Sequence, residues 1–119
     1  MLNLDTHILI YALADDLSRK ERQLLADAPW SISSIVLWEI TKLSELNRID
    51  LDIRDPQFSH AISNIHLWEI NLDICRAIQT LDFKGDPADE IIAATSLVHN
   101  IPLVTRDRQI RKSKIVPLA

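Results

Sequence analysis

Glycine, cysteine and long apolar segments are scarce in this chain of 119 residues, and each scarcity excludes a class of protein. The single glycine, Gly85, excludes a phosphate-binding loop of the glycine-rich kind. The single cysteine, Cys75, excludes an internal disulfide and a thiolate zinc site, and we interpret it as a small core residue of a helix. No apolar run approaches the roughly 18 residues that cross a membrane, and the N-terminus does not resemble a signal peptide. We therefore expect a cytoplasmic protein without a membrane segment.

An excess of positive charge is also absent. The net charge is −4, which argues against a protein that holds nucleic acid by overall charge. Five of the 13 basic residues nevertheless lie close together beside Asp107, namely Arg106, Arg108, Arg111, Lys112 and Lys114. For any one of them a solvated surface position is the simpler interpretation. As a group they could neutralise a phosphate backbone, and we take Arg106, Arg108 and Arg111 as candidate RNA contacts.

The histidines do not indicate a metal site or an activated nucleophile. His7, His60, His66 and His99 are scattered without ligand spacing, and no serine or cysteine has a recognisable histidine partner. Hydrophobic residues make up 47% of the chain and charged residues 25%, which is the composition of a single globular domain over residues 1–119.

Short apolar strands and helices alternate along the chain. The pattern predicts strands at residues 2–4, 30–33, 66–72 and 103–105, and a further edge strand at residues 115–116. It predicts helices at residues 7–13, 18–27, 34–46, 73–81 and 87–99, and a loop or helical arm at residues 48–65. Strands separated by helices predict an α/β fold, a three-layer α/β/α sandwich with a central parallel sheet.

Four acidic residues stand where the local pattern asks for an apolar residue. Asp5 follows the first apolar run, Glu39 lies within SIVLWEI, Asp89 opens DEIIAATSLV, and Asp107 follows PLVT. Any one of them could be a helix cap, and Asp5 could share that task with Thr6. Sites in open parallel sheets form at the carboxyl ends of the strands, so we expect the four carboxylates to share one pocket.

Glu39 is the strongest single indication of such a pocket. On a helical wheel it lies within roughly 40° of the mean direction of the apolar side chains of its own helix. Burying an unpaired carboxylate costs several kcal/mol, and the flanks of the helix offer only Lys42 and Arg48, both poorly directed. A structural ion pair is the alternative, but we favour a cation ligand.

The segment Asp86-Pro87-Ala88-Asp89 contains two acids with different predicted roles. Asp86 before Pro87 is a good helix N-cap, and we interpret it mainly as that. Asp89 opens a helix that is apolar on nearly every side and must be buried, so we expect its carboxylate at the end of the sheet.

Four clustered carboxylates repel one another unless a cation joins them. Oxygen ligands without histidine or thiolate favour Mg²⁺ or Mn²⁺ over zinc. An ion held in this way can activate a water and stabilise charge on a phosphodiester. The residues therefore predict metal-dependent phosphodiester hydrolysis.

Three blocks of the sequence together resemble the PIN-domain ribonucleases of the VapC toxin type, namely LDTHILIYAL, SIVLWEITKLSELNRIDL and GDPADEIIAATSLVHNIPLVTRDRQI. The resemblance spans nearly the whole chain. By it, Asp5, Glu39, Asp89 and Asp107 correspond to the metal-binding and catalytic acids, with Asp86 and Thr105 beside them. The family implies an α/β/α sandwich, Mg²⁺-dependent endonucleolytic RNA cleavage, a homodimer, and inhibition by a small VapB-type antitoxin.

Two positions depart from the family's pattern. Val36 stands where many members have a serine, and Glu90 stands where an arginine often follows the third acid. By the resemblance, Glu90 adds negative charge near the site.

Two other functions remain open from the sequence. A receiver-like phosphoacceptor domain also places carboxylates at strand ends around Mg²⁺, but it needs an acceptor Asp after its central strand and a lysine after its last strands. A catalytically inactive PIN fold that serves only as a binding module is the second alternative.

Overall fold

The computed structural model describes residues 1–119, which form four strands and seven helices. The strands are β1 (Leu2–Leu4), β2 (Trp30–Ser33), β3 (His66–Trp68) and β4 (Leu103–Val104). The helices are α1 (Thr6–Leu13), α2 (Arg19–Ala26), α3 (Ser34–Glu45), α4 (Pro56–Ile62), α5 (Leu72–Ile78), α6 (Pro87–His99) and α7 (Arg108–Arg111). No helix is long and apolar enough to cross a membrane.

All four strands are parallel and lie in the order β3-β2-β1-β4. The chain first builds outward from β1 through β2 to β3, and then returns to place β4 on the other side of β1. The direction of the strand order therefore reverses at β1, and a crevice is expected between the carboxyl ends of β1 and β4. The predicted α/β architecture, a central parallel sheet flanked by helices, is confirmed.

Local capping signals begin and end most helices where the sequence predicts. Ser18 forms a capping box with Glu21 at the start of α2, and the Ser33 hydroxyl accepts a hydrogen bond from the backbone N–H of Ile35 in α3. The helix α6 begins at Pro87, because the first position of a helix needs no N–H donor. It ends at His99, and the C-cap residue Asn100 has a positive φ of 53°. These ends need only residues within one turn, which is why sequence locates them well.

The core joins α6 to β1, and this contact positions the site. Ile92 and Ala93 of α6 are fully buried with Leu4 of β1 in one apolar cluster. The buried side-chain amide of Asn3 donates to the Ile92 carbonyl at 3.1 Å and to the Ser96 hydroxyl at 2.9 Å. Because α6 is held against β1 in this way, its N-terminal turn lies beside the carboxyl end of that strand.

The predicted third strand, residues 66–72, is too long. The strand β3 ends at Trp68, because the Asn71 side chain accepts from the N–H of Ile74 and starts α5 at Leu72. The helix thus begins one residue earlier than predicted, and its cap is in the extended conformation that the pattern assigned to the strand.

The predicted edge strand at residues 115–116 is wrong. The backbone N–H groups of Ile115 and Val116 both donate to the Ser113 hydroxyl, so they form a turn instead of a ladder. Pairing occurs two residues later, where Leu118 forms an isolated parallel bridge with Leu103.

Two smaller predictions also fail. Cys75 is exposed and not a core residue, because the buried side of α5 is set by Ile74, one residue before it. The short helix α7 was not predicted, since the basic residues around it indicate only a solvated surface.

Candidate active site

Asp5 lies directly after β1 and is held by two hydrogen bonds. Its Oδ1 accepts from the Thr6 N–H at 2.8 Å and so caps α1, while its Oδ2 accepts from the Thr105 hydroxyl at 2.6 Å. The residue is 6% exposed. Burial raises the pKa of Asp5, because it disfavours the charged form more than these hydrogen bonds favour it.

Glu39 reaches the same place from α3. Its carboxylate accepts a hydrogen bond from the Thr6 hydroxyl, so the neighbouring residues Asp5 and Thr6 connect it to the end of β1. Burial raises the pKa of Glu39, and the charges of Asp5 and Asp86 raise it further. The hydrogen bond from Thr6 and the imidazole of His7 lower this pKa, but burial outweighs both.

Asp89 lies in the first turn of α6, and its pKa is raised by burial and by the charges of all the other site acids. Burial raises its pKa to about 7, and the charges of Asp5, Asp107, Glu39 and Asp86 add to that shift in this order. No protein group donates a hydrogen bond to its carboxylate. All four predicted acids therefore act on one another at the end of the sheet.

Asp107 completes the group from the segment after β4. Its Oδ1 caps α7 by accepting from the N–H groups of Gln109 at 2.9 Å and Ile110 at 3.0 Å. Its own backbone N–H donates to the Thr105 hydroxyl at 3.0 Å. The Thr105 hydroxyl thus lies between the Asp107 backbone and the Asp5 carboxylate and links β4 to β1.

Asp86 does not cap α6 with its side chain, which corrects the role predicted for it. It occupies the N-cap position with extended backbone, but its carboxylate makes no cap hydrogen bond. Its charge acts instead on Asp89 and Glu39. The Glu90 side chain reaches back to the start of α6, where its Oε2 accepts from the Gly85 N–H at 3.5 Å.

None of the four acids has a basic partner. The ion pairs of the protein are Lys42–Glu45, Arg54–Asp52 and Arg106–Glu21. No three histidine, cysteine, aspartate or glutamate side chains are arranged as a ready-made ion site. The donor chemistry nevertheless fits a hard cation, because most of the possible ligands at this end of the sheet are carboxylate and threonine oxygens.

The three candidate RNA-contacting arginines occupy different environments. Arg108 is exposed in the first turn of α7, and Arg111 donates from Nη1 to the Thr105 carbonyl at 3.3 Å. Arg106 forms a bidentate pair with Glu21, and its guanidinium lies 4.0 Å from the centre of the Tyr11 ring. Two of the three therefore also contact the protein itself.

Sequence reasoning missed Thr6 as a partner of Glu39, and missed Glu21 and Tyr11 as partners of Arg106. The adjacency of Thr6 to Asp5 is the only local signal for the first of these. Nothing local indicates the other two, because Glu21 and Arg106 are 85 positions apart in the chain.

The chain is similar to known proteins along almost its whole length. The family model described as PIN domain matches residues 3–115. The protein named Ribonuclease VapC22, from Mycobacterium tuberculosis (strain ATCC 25618 / H37Rv), is 29% identical over 118 residues, which cover 93% of this chain and 90% of the relative.

Solved structures show the same fold. A toxin-antitoxin complex from Klebsiella pneumoniae contains a chain that is 24% identical with a TM-score of 0.69, and the match covers 94% of this chain and 92% of that one. VapBC2 from Rickettsia felis, bound to a DNA fragment from its promoter, gives 20% identity and a TM-score of 0.75, over 100% of this chain and 98% of that one. DNA-bound VapBC from Salmonella typhimurium gives 19% identity and a TM-score of 0.74, and the match covers 99% of this chain and 96% of that one.

Proposed function

This chain belongs to the PIN domain family, and from that premise we propose that it is a metal-dependent endoribonuclease that acts as the toxin of a toxin–antitoxin pair. The observation that carries the proposal is the group of four acids at the carboxyl end of the sheet, none of which has a basic partner. Burial raises the pKa of three of them, Asp5, Glu39 and Asp89. The relative from M. tuberculosis, which is named a ribonuclease, supports the activity. The structural neighbours in toxin–antitoxin complexes support the biological role.

In this proposal Asp5, Glu39, Asp89 and Asp107 hold Mg²⁺ or Mn²⁺. When bound, such an ion supplies a water of lowered pKa and stabilises negative charge on the phosphodiester. The protein's own contribution is orientation. Thr105 fixes Asp5 and Thr6 fixes Glu39, so neither carboxylate is free to turn away from the crevice.

Asp89 is the acid that a bound cation would affect most. Its carboxylate has no protein donor, and without metal its burial among other acids raises its pKa to about 7. A cation held beside it would favour the ionised form and lower that pKa, so Asp89 would act as a charged ligand of the ion.

RNA would approach over the basic residues at the end of β4. Arg108 and Arg111 lie on α7, whose first turn is capped by the site residue Asp107, so a strand lying on the acids would pass them. Because the net charge of the chain is −4, phosphate binding depends on such local clusters.

The activity can be tested with purified protein and end-labelled single-stranded RNA. We expect cleavage with Mg²⁺ or Mn²⁺, none with chelator, and a loss of several orders of magnitude in Asp89→Asn. The control is Asp55→Asn, which also removes one carboxylate charge but at the N-cap of α4, where asparagine remains a good cap. Absence of cleavage by the wild type would contradict the proposed function and leave the inactive binding module. Equal cleavage by both variants would instead show that Asp89 is not needed for the activity.

The proposed partners are a VapB-type antitoxin and a second copy of the chain as a homodimer. An unpaired acidic crevice is a natural site for an arginine or lysine of an inhibitory segment, because charge-assisted hydrogen bonds would satisfy the carboxylates. Coexpression with the product of the neighbouring gene should yield a complex in which RNA cleavage is blocked. Inhibition that survives removal of the basic residue would show that this contact is not the inhibitory one.

A receiver-like function is not favoured. The family model that matches residues 3–115 is described as PIN domain and not as a receiver domain.

A further inference from the structure

Arg106 is the residue between Thr105 and Asp107, yet its side chain is bound away from the acids. Its Nε and Nη2 atoms each donate to a Glu21 oxygen at 2.7 Å, and its guanidinium covers the ring of Tyr11 at 4.0 Å. Glu21 belongs to α2 and Tyr11 to α1. We call this arrangement of Arg106, Glu21 and Tyr11 the arginine clamp.

The clamp is better organised than an ordinary surface ion pair. The Glu21 side chain is 16% exposed, and it is already fixed because its Oε1 accepts from the Ser18 N–H at 2.8 Å in the capping box. The bidentate geometry and the planar contact with the ring both suit guanidinium in particular. Arg106 therefore meets a preformed partner and loses little further conformational freedom.

The clamp is placed to control the two site residues beside it. The backbone of Arg106 is joined directly to Thr105 and Asp107, so holding the Arg106 side chain limits the movement of both neighbours. Thr105 holds Asp5 at 2.6 Å, and Asp107 places its N–H on the Thr105 hydroxyl at 3.0 Å. Without the clamp, residues 105–107 would be anchored mainly by β4, which is a strand of only two residues.

We propose that Arg106 is a positioning residue, whose clamp on Glu21 and Tyr11 holds Thr105 and Asp107 in the arrangement that the acidic site needs. The proposal rests on the function proposed above, and it replaces the role of RNA contact that the sequence indicates for this residue. The clamp thus acts on the site residues and not on RNA, and RNA binding depends on Arg108 and Arg111.

The two roles predict different kinetic effects of replacing Glu21. If Arg106 positions the site, Glu21→Gln and Arg106→Gln should each lower kcat by about 10- to 100-fold, because small displacements of site residues have effects of that size, and leave KM within about twofold. If Arg106 binds RNA, Glu21→Gln frees it and lowers KM, whereas Arg106→Gln raises KM. Glutamine at position 21 can still accept the Ser18 N–H, so α2 stays capped.

Arg106→Lys gives a second, independent distinction. Lysine keeps the charge that binds a phosphate but cannot form the bidentate pair or lie flat on the ring, so the clamp predicts activity close to that of Arg106→Gln. Activity close to the wild type would instead support RNA contact. The matched controls are Asp52→Asn and Arg54→Gln, which break the other bidentate pair of the protein, and kcat should be unchanged in both.

Amide hydrogen exchange separates failure of the clamp from failure of the proposed function, because it needs neither RNA nor metal. Exchange at the Asp107 and Gln109 N–H groups should rise by about tenfold or more in Glu21→Gln and Arg106→Gln, but not in the control variants. Unchanged exchange in a folded Arg106→Gln protein overturns the clamp. Faster exchange in a protein that never cuts RNA upholds the clamp and overturns only the nuclease.

Discussion

Asp5 and Asp107 each use one carboxylate oxygen as a helix cap while belonging to the acidic group. Asp5 caps α1 through Oδ1, and Asp107 caps α7 through Oδ1. Replacement by asparagine keeps a cap acceptor and removes the charge, whereas replacement by alanine removes both. The structural and functional roles of each acid can therefore be measured separately.

Asp107→Asn should leave the free energy of unfolding in chelator nearly unchanged, because the cap of α7 survives. Asp107→Ala should lower it by about 0.5–2 kcal/mol. Both should weaken Mn²⁺ binding, since both remove the charge. Urea denaturation and calorimetric Mn²⁺ titration measure the two effects, and equal destabilisation by the two variants would show that the cap contributes nothing.

Asp86 and Asp89 should respond in opposite ways to loss of charge. Asp86 makes no cap hydrogen bond, so Asp86→Ala should lower the free energy of unfolding by less than the ~1 kcal/mol of a usual cap. Asp89→Asn should raise it in chelator at pH 8, because burial and four neighbouring charges oppose ionisation there. RNA cleavage should be lost in Asp89→Asn alone; loss in Asp86→Ala alone would mean that the two roles are reversed.

At the scale of elements, α6 serves the core and the site together. Its small buried residues Ala93 and Ala94 let it approach its neighbours closely, and Asn3 ties it to β1. Asp89 lies one turn before Ile92, so its position depends on how tightly this helix packs. Stability and metal binding should therefore be coupled through α6.

Ala93→Leu tests this coupling by overfilling the contact. We expect a loss of about 1–3 kcal/mol in the free energy of unfolding, because a closely packed core accommodates added methylenes poorly. Mn²⁺ affinity should fall as well, since α6 must shift. Val98→Leu, on the exposed side of the same helix, is the control and should change neither quantity. A destabilised Ala93→Leu protein with unaltered Mn²⁺ binding would argue against the coupling.

For the whole molecule, the acidic site makes stability depend on pH in a definite direction. The folded pKa of Asp89 is about 7 against an ordinary 3.8, so the folded state binds more protons between these values. The free energy of unfolding in chelator should then fall as the pH rises from about 4 to 7 and level off above it. The raised pKa values of Asp5 and Glu39 act in the same direction.

Mg²⁺ should reverse this loss at neutral pH, because a ligand that binds only the folded state stabilises it by mass action. Thermal unfolding from pH 4 to 8, with Mg²⁺ and with chelator, measures both effects. Asp89→Asn should flatten the pH dependence in chelator. A free energy of unfolding that rises with pH from 4 to 7 without metal would contradict a cluster of buried, mutually repelling carboxylates.

Local chemistry decided what the sequence could predict. The capping box of α2, the proline at the start of α6 and the short apolar runs of β1 and β2 act over a few residues. Their helices and strands were therefore predicted nearly to the residue. The alternation of those elements was enough to indicate a parallel sheet. An acid after a strand was enough to indicate a site at the sheet's carboxyl edge.

Tertiary structure alone decided the contacts made across the chain. The Arg106–Glu21 pair, the Leu103–Leu118 bridge and the exposure of Cys75 depend on which elements pack together, and no local pattern contains that information. The same holds for the raised pKa of Asp89, whose causes are burial and the charges of four acids, three of which lie in distant segments of the chain. Capping acts within one helical turn, whereas burial and charge interactions depend on distance in space, which exists only once the chain has folded.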